Sequence, residues 1–319
     1  MGKYVNPFTD TGFKILFGQE PSKPLLIDFL NNLLEGKERI TDVTFLDKEK
    51  PRVYKKDRGV IYDILCETDK KEKIIVEMQN RSQEHFIERS VYYVSQAIAR
   101  QGVKGDWDFN FHAVYFVAFM NFTLDGLNVF RTDTQLCKTN TKEREVLSDK
   151  MKFIYLQLPL FTKTEDECKT NFDRWIFIFK NMATLEYIPW ASKDSIFSQL
   201  GKFAQIANLS EHQRRKYDKD LKIYRDNINV LDHAIKSGIE QGVKIGIEKG
   251  RAEGEKIGIE KGEKIGIEKG EKIGIEKGRA EGEKQRSLDI ARSLKAAGKL
   301  SFEEIAEITK LPLEEIEKL

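Results

Sequence analysis

Histidine and cysteine are scarce in this chain, four and three in 319 residues. His85, His112, His212 and His233 fall in no HxxxH or HExxH spacing, and Cys66, Cys137 and Cys168 form neither a CxxC pair nor a disulfide framework. A zinc site built on those residues is excluded, and a reduced, cytoplasmic setting is expected. Apolar runs are short. None approaches the roughly 18 residues that cross a bilayer, and the opening MGKYVNPFTD lacks the apolar stretch of a secretory leader. Charge of one sign is also lacking, because the net is only +2. Residues 236–319 hold 18 basic and 18 acidic side chains. A chain that coats nucleic acid non-specifically is far more basic, so any such contact here is local.

What remains is ordinary globular material with an abrupt change near its end. Hydrophobic residues make up 40% and aromatics 10%, enough for a sizeable core. DTGFKILFGQ reads as a short helix with Asp10 as N-cap and Gly18 as its stop, and KPLLIDFLNNLLEG as a second helix. ITDVTFLD reads as a strand. GVIYDILCETDKKEKIIVEMQN, residues 59–80, supplies two more around a charged connector. A strongly amphipathic helix over about 84–101 follows, then the apolar strand FHAVYFVAFMNF and a helix-rich region to about Ile235. The order helix, three strands, helix, strand, helices predicts an α/β layer architecture for residues 1–235.

Residues 236–285 differ. Glycine occupies every fourth position from Gly238 to Gly282, twelve times in all, within octads such as IGIEKGEK. Glu–Lys pairs at i,i+4 favour helix by a few tenths of a kcal/mol each, whereas each helical glycine costs roughly 1 kcal/mol relative to alanine. An isolated helix is therefore marginal. A four-residue step also drifts ~40° per repeat around a helix. Two readings stand: a solvated, partly helical spacer, or a close-packed stalk joining protomers. Residues 286–319 return to ordinary patterning. SFEEIAEITK opens with a capping box from Ser301 to Glu304, and LPLEEIEKL gives a short last helix. The pair has the outline of a helix-turn-helix, but Glu314, Glu315 and Glu317 would repel phosphates, so a protein-contact module is expected.

The chemistry lies in residues 59–80, where Asp63 and Glu77 sit inside strand-like runs. A hairpin centred on Lys70 places Asp63 directly across from Glu77, with Ile61 opposite Gln79 and Leu65 opposite Ile75. Like charges so placed are destabilising. A divalent cation reconciles them, and oxygen ligands suit Mg2+ or Mn2+. The alternative is that both acids point to solvent from an open sheet face. Just upstream, KEKPRVYKKDR carries six bases, among them Lys55, Lys56 and Arg58, which can contact DNA phosphates or form a plain solvated loop. Arg89, Tyr92 and Tyr93 lie on the helix after Glu77, and the two tyrosines cannot face the same way. Asp10 is a further candidate acid, with helix capping as its alternative.

With these residues in view, the run from Asp63 through VEMQN to RSVYYVSQ, preceded by DTGFKILFG, resembles the PD-(D/E)XK nuclease-family transposases, also described as recombination-promoting nucleases. The likeness spans roughly residues 4–235. It implies a restriction-endonuclease-like mixed sheet flanked by helices, with Asp63 as the first acid and Glu77 as the acid of the E-x-K element. Gln79 stands where the wider superfamily usually has lysine, a departure that bears on catalytic strength and not on metal binding. The resemblance further implies the Met78 carbonyl as a metal ligand, and magnesium-dependent DNA cleavage in transposition, recombination or phage defence. DNA and a second copy of the chain are the expected partners, with no membrane and no small-molecule cofactor. The rival reading is a weakly active or inactive DNA-binding or interaction protein whose tail mediates assembly or regulation.

Deleting residues 238–319 is expected to preserve the cleavage chemistry and alter the assembly state. Sedimentation that finds the same number of protomers with and without the tail rejects its assembly role.

Overall fold

The computed structural model describes residues 2–35, 39–47, 49–50, 60–140 and 142–319. Lys55, Lys56 and Arg58 lie outside the described residues. The chain divides into two compact units, Met1–Val230 and Leu231–Leu319.

In chain order the first unit contains α1 (Asp10–Phe17), α2 (Lys23–Leu33), β1 (Val43–Phe45), β2 (Glu49–Lys50), β3 (Val60–Ile61), β4 (Ile64–Thr68), β5 (Lys73–Gln79), α3 (Phe86–Ala99), β6 (Val114–Met120), β7 (Arg131–Cys137), β8 (Val146–Gln157), α4 (Asn171–Asn181), α5 (Ser195–Ala204) and the start of α6 (Glu211–Ala297). Six strands form one mixed sheet in the order β1-β4-β5-β6-β8-β7, while β2 and β3 pair separately. β5, β6 and β8 run parallel, and the remaining pairings in the sheet are antiparallel. This is the mixed sheet flanked by helices that the resemblance implies.

The central strand β6, VYFVAFM, is buried at every position, as a strand covered on both faces must be. One face carries the larger core, in which Ile74, Val76, Tyr115, Val117 and Phe119 meet α1, α2, α4 and α5. Phe119 and Phe179 stack with ring centroids 4.6 Å apart. The indole N–H of the fully buried Trp175 donates to Asp28 at 2.7 Å, so its polar atom is not stranded. The opposite face carries a smaller core of Leu65, Ile75, Val114, Phe116 and Tyr155, covered by α3 through Phe86, Val94 and Ala97. Thus odd-numbered positions of β5 point towards α3, and even-numbered ones towards the larger core.

Two details depart from the sequence reading. The N-cap of α1 is Thr9, whose hydroxyl accepts from Gly12 N–H at 3.0 Å; Asp10 sits in the first turn and pairs with Lys14 at 2.5 Å. An acid there still favours the helix, through the positive end of its dipole. Residues 131–157, read as part of a helix-rich region, instead form the β7–β8 hairpin. Its outer half is largely exposed on both faces, with a register shift between Gln135 and Cys137.

In the second unit the residues of α6 remain helical and almost wholly exposed until α7 (Phe302–Thr309) and α8 (Leu313–Glu317). These pack on the end of α6 through Ala291, Ile305, Leu311 and Ile316. The capping box at Ser301 and Glu304 is formed. Apart from the neighbouring backbone of α6 itself, nothing described lies within 4 Å of the position a Cβ would take at any glycine from Gly238 to Gly282. No close approach within the chain therefore calls for glycine there.

Replacing Gly258, Gly262 and Gly266 together by alanine should stabilise the helix by about 0.5–1 kcal/mol per site. Circular dichroism during thermal melting reads the gain; reduced helicity would mean that the glycines are required for a reason outside this fold.

Candidate active site

The β4–β5 hairpin fixes the geometry. Ile64 pairs with Val76, Leu65 with Ile75 and Cys66 with Ile74, which is the register expected from a centre at Lys70. One step before the start of β4, that register brings Asp63 to Glu77. Two hydrogen bonds tie Asp63 to β5. Asp63 N–H donates to Glu77 Oε1 at 3.0 Å, and Met78 N–H donates to Asp63 Oδ2 at 2.9 Å. The aspartate side chain thus accepts the Met78 N–H at the point where the backbone ladder of β4 has ended. N–H and C=O of one strand residue point to the same side, so the Met78 carbonyl is directed to that side as well. Gln79 joins the group, its amide donating to Glu77 Oε2 at 3.4 Å. Asp63, Glu77, Met78 and Gln79 are therefore brought together, and Glu77 does not face solvent: it is 3% exposed beneath α3.

Burial in this position is costly for an anion. Desolvation pushes the Glu77 carboxyl up to about 8, and the neighbouring Asp63 pushes in the same direction. The Asp63 N–H, the Arg89 guanidinium and the Gln79 amide oppose that rise. Beside the pair, Tyr62 is 1% exposed and its phenol is pushed up to about 12 by burial. It packs edge-on to Tyr93 at 5.4 Å, and Tyr93 is turned inwards while Tyr92 is exposed. These neighbours make a low-dielectric wall on one side of the acids, where charge interactions are strengthened.

Asp10 is not part of the group, since its partner is Lys14. Among the described residues no three His, Cys, Asp or Glu side chains gather as a metal site. Two carboxylates and one backbone carbonyl nonetheless fit a magnesium-type ion, which commonly takes one or two carboxylates and completes its shell with water and substrate phosphate. A buried acid whose ionisation is opposed by its neighbour gains most from such an ion. The sequence reading named Arg89 but gave it no task. Its influence on Glu77 depends on which flank of α3 meets the sheet, and the signal lay in its position three residues after the buried Phe86.

A buried glutamate beside a half-buried aspartate at the open end of a strand hairpin, in a mixed sheet flanked by helices, defines a nuclease-like α/β protein. A family model, that of the PD-(D/E)XK nuclease family transposases, matches residues 7–234, and the chain belongs to that family. No curated protein and no solved structure matches the chain. Membership makes it a nuclease-type hydrolase linked to transposition, with DNA the implied substrate; nucleases of this class generally use divalent metals, usually Mg2+. Among the described residues no helix is long and apolar enough to cross a membrane.

In a metal-free chain, folded Glu77 holds its proton up to about pH 8, whereas the unfolded side chain releases it near its ordinary 4.5. The folded state binds the extra proton between those values, so stability is full below the lower one and is lost as pH rises through the upper one. Glu77→Gln should therefore raise the melting temperature in chelator above pH 8 and change it little at pH 5, with about 2–4 °C for each kcal/mol recovered. Equal melting shifts at both pH values would mean that Glu77 is not held protonated.

Proposed function

We propose that this chain is a divalent-cation-dependent DNA endonuclease acting in transposition, recombination or phage defence. The observation that carries the reading is the pair of hydrogen bonds that tie Asp63 to Glu77 and to the Met78 N–H, which brings two carboxyl groups together at the open end of the hairpin. In this reading Asp63, Glu77 and the Met78 carbonyl hold Mg2+, with Mn2+ as a substitute. Such an ion, when bound, supplies Lewis-acid polarisation of a scissile phosphate and makes water a better nucleophile near neutral pH.

The remaining tasks belong to the protein. Asp63 and Glu77 offset the cation's charge and fix its place relative to the start of β4. Glu77 cannot move freely, because Asp63 N–H and Gln79 hold its two oxygens. Gln79 is neutral; it can orient a water by hydrogen bonding but adds no positive charge and cannot accept a proton as a base. Tyr62 and Tyr93 exclude solvent from one side, which strengthens the field acting on a phosphate. Lys55, Lys56 and Arg58 are the proposed contacts to the DNA backbone ahead of the site. The neutral Gln79 favours a second reading, a chain of this fold that binds DNA and cuts it weakly.

Supercoiled plasmid incubated with the full chain and Mg2+ should be nicked or linearised. Asp63→Asn and Glu77→Gln should each slow this by at least about 100-fold, the scale of losing one electrostatic catalytic group. Cutting that persists equally in both variants assigns it to a contaminant and removes the enzyme reading; DNA retention without cutting by the parent supports the second one.

A further inference from the structure

Gln79 brings no charge to the place where the wider superfamily has a cation, so it matters what else near Glu77 is positive. Positions 89, 93, 96 and 100 of α3 and its C-cap recur at helical spacing and form one flank of that helix. Tyr93 fixes the direction of the flank, because its ring meets Tyr62 and its carbonyl accepts from the Tyr62 hydroxyl at 3.3 Å. The other flank is turned towards β8, where Ser90 Oγ lies 2.6 Å from the Tyr155 hydroxyl. Arg89 therefore lies on the side of α3 that overlooks the Asp63–Glu77 end of the hairpin.

Its guanidinium is held there. It lies over the Phe86 ring at 5.2 Å and the Tyr93 ring at 5.8 Å, and it also donates to the Gln83 side-chain oxygen. Two aromatic faces and one hydrogen bond on a half-buried side chain give an arginine placed in advance, with little rotamer freedom left to lose. Among the described residues it forms no ion pair within 4 Å with Glu77, yet its field reaches that carboxylate. A structural salt bridge would have closed the distance. A cation whose field reaches Glu77 without an ion pair is instead suited to an anion that enters beside that carboxylate.

We propose that Arg89 is the phosphate-contacting cation of the cleavage reaction, supplying from α3 the positive charge that Gln79 does not bring from β5. This rests on the nuclease reading above. In the hydrolysis a water oxygen bonds to phosphorus as the bond from phosphorus to the leaving sugar oxygen breaks. The water gives up one proton and the leaving oxygen takes one up, so no further reactant is needed. Arg89 stays protonated throughout. It donates N–H groups to the non-bridging oxygens as their charge grows, a fork geometry that matches phosphate and that an ammonium reproduces only in part.

The test uses the full chain as Arg89→Gln and Arg89→Lys beside the parent and Asp63→Asn. Single-turnover cleavage at saturating plasmid is measured in Mg2+, and Mn2+ affinity by calorimetry without DNA. Arg89→Gln should slow the chemical step by about 100-fold, with Arg89→Lys recovering part of it. Arg89→Gln should also bind Mn2+ several-fold more tightly than the parent, because a like charge has been removed from beside the acids. A merely structural role would not tighten Mn2+ binding. An Arg89→Gln rate within about threefold of the parent, or equal losses in both Arg89 variants with unchanged Mn2+ affinity, overturns the proposal. Asp63→Asn separates the two conclusions. If the parent cuts and Asp63→Asn does not, the nuclease reading stands whatever Arg89 does; if neither cuts, or both cut alike, both conclusions fall.

Discussion

Placing the Glu77 carboxyl under α3 beside Asp63 is the constraint on which the rest of the site depends. Ionising a carboxyl in such a place costs several kcal/mol without compensation, so the proton stays on well into the neutral range unless other groups offset the charge. Part of that offset is visible in the protein. The Asp63 amide caps one oxygen of Glu77, the Gln79 amide the other, and Met78 N–H anchors Asp63 in turn. The ladder of β4 and β5 is thus extended by side chains at the point where its backbone bonding stops.

The sheet gives this arrangement its rigidity. β5 is held on one side by β4 and on the other by β6, whose every side chain is buried. Asn121 N–H donates to the Gln79 carbonyl at 2.8 Å, so β5 is fixed right up to its last residue. Sites built on packed strands keep their geometry better than sites on loops. Here Asp63 lies just outside the first residue of β4 and Glu77 two residues from the end of β5, so the acids are at the margin of the layer and its core is left intact.

How much of this was legible beforehand depends on what each feature requires. The Asp63–Glu77 register could be read because a hairpin about Lys70 aligns Leu65 with Ile75, both of which need the same buried face. The β7–β8 hairpin was missed because its outer residues are exposed on both sides and so show no alternation; only Phe153–Leu156 carries a buried-strand signal. Thr9 and Asp10 are both good caps, and only the backbone decided between them. The placement of Arg89 needed the orientation of α3, which the rings of Tyr62 and Tyr93 set and no local pattern reveals.

The open space around the glycines of α6 also bears on how such a chain can evolve. An octad adds about 12 Å to a helix and turns its end by about 80°. Because no described side chain leans on Gly238–Gly282, gaining or losing whole octads breaks no internal packing. The small bundle of Ala291, Ile305, Leu311 and Ile316 lies wholly after the repeat, so its own packing is untouched. A helix whose length can change in equal increments, with no penalty to the folded parts, is a dimension that recombination within the coding repeat can adjust by itself.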